Sequence, residues 1–106
     1  MSQITPLFED TRPLDLICMG RVAVDLYAEQ VYSHLKDAQS FRKYLGGCAG
    51  NTAVGTARLG LKSAMFSCIG TDEMGLFLRE TLENEGVDTT LLRSTTENLT
   101  ALVLLG

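Results

Sequence analysis

Residues 46–60 read Gly-Gly-Cys-Ala-Gly-Asn-Thr-Ala-Val-Gly-Thr-Ala-Arg-Leu-Gly, a glycine turn feeding a helix of small residues. Asn51 suits the N-cap, because its side-chain oxygen can accept an orphan N–H of the first turn. Gly60 suits the left-handed position that stops a helix. The interior residues Ala53, Gly55 and Ala57 are slim. Gly55 costs about 1 kcal/mol of helix stability relative to alanine. The expected compensation is close approach of the helix backbone to a neighbouring sheet or to a ligand.

On the N-terminal side, residues 14–19 are a short, mostly apolar run closed by Gly20, the pattern of a buried strand. Residues 26–44 scatter Tyr27, Val31, Tyr32, Leu35, Phe41 and Tyr44 among polar residues without helical spacing. They read as an irregular or short-stranded excursion that leaves the main sheet and returns. On the C-terminal side, residues 62–69 form a second strand ending at Gly70. Thr71 or Asp72 can cap the next helix, in which Met74, Phe77, Leu78 and Leu82 recur at helical spacing until Gly86 stops it. Residues 87–92 hold a short strand and turn. Residues 100–105 read as a third main strand, and 101–105 are apolar on both faces, as in a central parallel strand. The alternation predicts an α/β fold, a doubly wound and mainly parallel sheet with right-handed crossovers.

The chain has 106 residues, enough for one domain. Residues 1–13, with Pro6 and Pro13, read as a loose leader, leaving 14–106 as the folded segment. No helix follows the last strand to cover it, so the sequence reads as the front of a larger α/β protein. Nine Lys and Arg against thirteen Asp and Glu give a net charge of −4. That disfavours nucleic acid as a partner, since a phosphate backbone calls for a basic stripe. No apolar run approaches the roughly 20 residues that span a bilayer. The N-terminus lacks the basic start and apolar stretch of a secretory signal, so a cytoplasmic location is expected. Cys18, Cys48 and Cys68 lie far apart, and with His34 the one histidine no zinc spacing exists. Reduced thiols and no metal site are the expectation.

Two phosphate-loop patterns fail on residues 46–60. The Walker loop needs Gly-Lys-Ser/Thr at its end, and Thr56 stands where the lysine belongs. The dinucleotide fingerprint needs Gly-x-Gly-x-x-Gly directly after the first strand, where Gly20-Arg21-Val22 stands instead. A third pattern fits at every position. Gly46, Gly47, Ala49, Asn51, Ala53, Gly60 and Gly70 resemble the N-terminal signature of the ribokinase-like (PfkB) carbohydrate kinases, with both long gaps intact. Residues 15–25 look like that family's opening strand followed by its sugar-binding aspartate at Asp25. Gly70-Thr71-Asp72-Glu73-Met74-Gly75 resembles the family's Gly-x-Asp-x-x-Gly turn. Residues 20–27, 43–47 and 99–106 look most like the members that phosphorylate 5-dehydro-2-deoxygluconate in inositol breakdown.

The resemblance implies an ATP-dependent kinase acting on a sugar or sugar acid, with magnesium (Mg2+). This segment would supply the sugar-binding half. The family's second signature, Asp-Thr-x-Gly-Ala-Gly-Asp, carries the base and the anion hole, and it does not occur here. No catalytic residue is therefore expected in the segment. Asp25 and Asn51 would bind sugar hydroxyls, with Gly46 and Gly47 leaving their backbone bare to the ligand. Arg21, Arg42 and Lys43 are the cations beside these motifs, and a sugar acid needs a cationic partner for its carboxylate. By the same resemblance residues 27–44 form a lid, through which two copies could pair. The competing reading is a sugar-binding α/β module that performs no chemistry.

Overall fold

A computed structural model describes residues 11–106. Most of the leader expectation therefore falls outside the described residues. In order, the elements are β1 (Leu16–Met19), β2 (Ala23–Ala28), a 3₁₀ turn (Leu35–Asp37), β3 (Phe41–Gly46), α1 (Cys48–Arg58), β4 (Ser63–Gly70), α2 (Glu73–Asn84), β5 (Leu92–Thr95) and β6 (Leu102–Leu105). They build two three-stranded sheets, ordered β1-β4-β5 and β3-β2-β6.

The first sheet is all parallel. Cys18 and Met65, partners in register, are buried with Ala53 of α1 and with Leu78 and Leu82 of α2. The next pair in register, Met19 and Phe66, lies on the other face and is exposed. Among the described residues the helices cover one face of this sheet. Met74 and Phe77 pack against the core beside Leu78 and Leu82, as the helical spacing predicts. Asp72 caps α2, its carboxylate accepting the Gly75 N–H at 2.8 Å. Gly60 and Gly86 both adopt positive φ, at 95° and 83°. Each closes its helix with a paired turn: the N–H of Leu61 donates to the Thr56 carbonyl, and that of Val87 to Leu82. All three cysteines are free, and burial pushes the Cys18 thiol up.

The second sheet decides one expectation and corrects another. Of the two readings of the excursion, irregular or short-stranded, the stranded one holds: β2 pairs antiparallel with β3, from Ala23 opposite Gly46 to Ala28 opposite Phe41. Its connection is organised by Gln30, whose side-chain amide donates to Ser40 Oγ and accepts the N–H groups of Gln39 and Ser40. Residues 102–105 do not extend the main sheet. They pair in parallel with β2, from Val24 beside Leu102 to Tyr27 beside Leu105. The main sheet gains β5 instead, from the region read as a short strand and turn. Nor is β6 buried on both faces, since Leu102 and Leu104 are half exposed.

The helix of residues 46–60 also differs in detail. Gly47, with φ of 90°, holds the N-cap and contributes no side chain to it. Asn51 lies inside the first turn, and its N–H donates to the Gly47 carbonyl at 2.9 Å. Its side-chain amide is thus not used as a cap. The close approach expected at Gly55 occurs at Gly50, where an added Cβ would stand 2.9 Å from Val22. At Gly55 an added Cβ meets nothing within 4 Å. Gly55→Ala is therefore expected to raise stability by about 0.4–1 kcal/mol, because the helical backbone tolerates alanine and the unfolded chain loses freedom. Denaturant titration of the two forms checks this, with the midpoint rising in the variant.

Candidate functional site

The β2–β3 pairing puts side chains on alternate faces, and partners in register share a face. Asp25 is opposite Tyr44 and Tyr27 is opposite Arg42, so these four project together. The first turn of α1 brings Asn51 to the same place. Together with Glu29 they line a cavity of about 630 Å³. That volume falls in the range of small-molecule sites. A second cleft of about 340 Å³ shares Tyr44, Leu45 and Asn51 with it and runs along α1 past Gly55.

Asp25 is half buried, in the middle of β2, not at a strand end as the sequence suggested. An added Cβ at Gly46 would fall on the Asp25 carboxylate, so the glycine there makes room for that group. Gly47 is bare for another reason. A Cβ would strike the Arg21 backbone carbonyl, and the positive φ already penalises a side chain. The same Arg21 carbonyl accepts the Gly50 N–H at 3.2 Å, tying the loop after β1 to the start of α1. Among the described residues neither the Asp25 carboxylate nor the Asn51 amide has a hydrogen-bond partner. Both polar ends therefore face the cavity with their capacity unspent.

The aromatic wall is set by the strands. Tyr27 and Tyr44 meet edge to face, with ring centroids 5.5 Å apart. The Arg42 guanidinium lies 5.8 Å from the Tyr44 ring centroid, inside the range of cation–π attraction. Carboxylate and amide can bind hydroxyls, ring faces can cover C–H surface, and a guanidinium can grip a carboxylate. This is the chemistry of a polyol, with provision for an acidic one.

Residues 14–106 match the pfkB family of carbohydrate kinases. The chain belongs to that family. It is 39% identical over 82 residues to a 5-dehydro-2-deoxygluconokinase of Geobacillus thermodenitrificans, covering 77% of this chain and 24% of the relative. To the enzyme of that name from Clostridium tetani it is 43% identical over 81 residues, covering 76% and 24%. A sugar kinase from Pyrococcus horikoshii superimposes with a TM-score of 0.80 at 36% identity, over 84% of this chain and 30% of that one. Aminoimidazole riboside kinase from Salmonella enterica, complexed with aminoimidazole riboside and an ATP analogue, gives 0.72 at 32% identity, over 84% and 28%. This pfkB segment spans about a quarter of the length of the curated relatives it matches.

Of the residues singled out in this pfkB chain, the structure brings Asp25, Asn51 and Arg42 to one cavity, with Gly46 against the Asp25 carboxylate and Gly47 outside the lining. It separates Arg42 from Lys43. Adjacent strand residues face opposite ways, and the Lys43 ammonium stands 4.4 Å from the Phe77 ring centroid on α2. Arg21 is exposed and does not line the cavity; its backbone, not its guanidinium, serves the site. Tyr27, Tyr44 and Glu29 line the cavity without having been singled out. The register of β2 against β3 would have found the two tyrosines. Among the described residues there is no group of three or more His, Cys, Asp or Glu that could hold a metal ion. The cavity lining holds one cation, Arg42, against two carboxylates, Asp25 and Glu29, a balance that disfavours a triphosphate. No described helix is long and apolar enough to cross a membrane.

Proposed function

We propose that this segment is the acceptor-binding portion of an ATP-dependent carbohydrate kinase of the cytoplasm, and that its substrate is a sugar acid of the 5-dehydro-2-deoxygluconate kind. The observation that carries the reading is the convergence of Asp25, Asn51 and Arg42 on one cavity between a strand and a helix N-terminus. Asp25 and Asn51 fix the hydroxyls, and Arg42 takes the carboxylate. Holding the acceptor hydroxyl in line is the positioning share of catalysis. The base and most of the ATP and magnesium site belong to residues outside this segment. The β2–β3 hairpin, with residues 27–44, acts as the lid, and its sheet offers exposed Leu102 and Leu104 for pairing with a second copy. Relatives named as 5-dehydro-2-deoxygluconokinases support the choice of substrate, and ATP-bound sugar kinases among the structural neighbours support the donor.

Arg42→Met tests the acid. In the full-length protein it should weaken 5-dehydro-2-deoxygluconate binding by roughly tenfold or more, the order of one charge-assisted hydrogen bond. Fructose and ribose should be affected little, and Lys43→Met should leave all three unchanged. Equal losses for the acid and the neutral sugars, measured by calorimetry, would give Arg42 a structural role and remove the acidic substrate from the proposal.

A further inference from the structure

A hydrogen-bonded knot ties the end of the first sheet to the chain that enters β6, and none of its residues lines the cavity. At the end of β4 the Gly70 N–H donates to the Thr100 hydroxyl at 2.9 Å. The Asp72 carboxylate accepts the Gly75 N–H through Oδ1 at 2.8 Å and the Thr100 N–H through Oδ2 at 2.9 Å. Thr100 is 7% exposed. Both glycines are bare because the knot fills their space. A Cβ on Gly75 would fall on the Gly70 carbonyl, and one on Gly70 would fall on the Asp72 carboxylate. One residue beyond Thr100, the Ala101 carbonyl accepts the Val24 N–H at 2.9 Å, and β6 then runs beside β2 with Val103 paired to Asp25.

We infer that Asp72 and Thr100 are positioning residues for Asp25, fixing the second sheet against the first so that the β2 carboxylate faces Asn51 on α1. The inference rests on the proposal that Asp25 and Asn51 bind the acceptor. A helix cap needs only the Gly75 bond. The second oxygen of Asp72 holds the crossing chain at the Thr100 N–H, and the hydroxyl of Thr100 reaches back to the end of β4. β6 enters its sheet from that fixed point, and its first bond to β2 follows immediately. A slackened knot would let the hairpin sheet shift relative to α1, and a displacement near 1 Å at a reacting group can cost about a hundredfold in rate.

The test uses the full-length protein. Thr100→Val removes the hydroxyl at nearly constant shape, and Thr100→Ser keeps it. Asp72→Asn keeps its carbonyl oxygen for one N–H and turns an amino group on the other. Thr100→Val and Asp72→Asn should raise KM for 5-dehydro-2-deoxygluconate by about tenfold and leave KM for ATP within about twofold, with Thr100→Ser close to wild type. In hydrogen exchange the amides of β2 and β6 should open faster while those of β4 hold. An effect confined to the first turn of α2, with sugar KM unchanged, would overturn the inference and leave Asp72 a helix cap. Should Thr100→Val fail to fold, Asp72→Asn and the exchange pattern decide the matter alone. Asp25→Asn serves as the reference. If it alters sugar KM and the knot variants do not, this inference falls. If it alters nothing, the sugar site itself has been misassigned.

Discussion

Asp25→Ala in the full-length protein is expected to weaken sugar binding by about a hundredfold while leaving ATP affinity within about twofold. A carboxylate that accepts two hydroxyls loses two charge-assisted hydrogen bonds, each worth roughly 1.5–3 kcal/mol and not additive. Even the low end of one bond is about tenfold in affinity. The fold should tolerate the change. The Asp25 carboxylate has no protein hydrogen-bond partner among the described residues, so removing it breaks no bond within the fold. Titration of each ligand by calorimetry, beside a thermal melt, separates the two effects. Unchanged sugar affinity, or a parallel loss of both ligands, would remove Asp25 from the site.

The neighbouring glycines should fail in different ways. In Gly47→Ala the new Cβ meets the Arg21 backbone carbonyl, and the backbone already holds φ at 90° and ψ at 140°. A rigid carbonyl and a conformation hostile to L side chains together cost roughly 2–4 kcal/mol. That is a large part of a domain stability of about 5–15 kcal/mol. In Gly46→Ala the new methyl meets only the end of a side chain, which can swing aside. Stability should fall little, but the carboxylate leaves its place and sugar affinity should drop by about tenfold or more. Thermal melting and sugar titration of both variants check the contrast. Equal melting temperatures for the two, or full sugar affinity in Gly46→Ala, would contradict it.

What the sequence made legible is what local chemistry decides. The cap at Asp72, the stops at Gly60 and Gly86 and the apolar stripe of α2 each depend on a few adjacent residues, and each is found in the structure. The second sheet was not legible, because β6 pairs with a strand near the other end of the chain. Its apolar run looks the same whichever sheet receives it. The opposed directions of Arg42 and Lys43 follow from a strand in a segment whose reading left irregular and short-stranded open. Once β3 is a strand, alternation gives one cation to the cavity and the other to Phe77. Two roles were open to Asn51, helix cap and ligand group, and only the cap is set aside: the positive φ of Gly47 starts the helix earlier and leaves the amide to the cavity.

A crystal structure of the full-length protein with 5-dehydro-2-deoxygluconate tests the central claim most directly. The account places two hydroxyls of the sugar within about 2.6–3.2 Å of the Asp25 carboxylate and Asn51 amide, with the acid group at Arg42. A sugar bound elsewhere, with that cavity filled by protein from outside this segment, would contradict it.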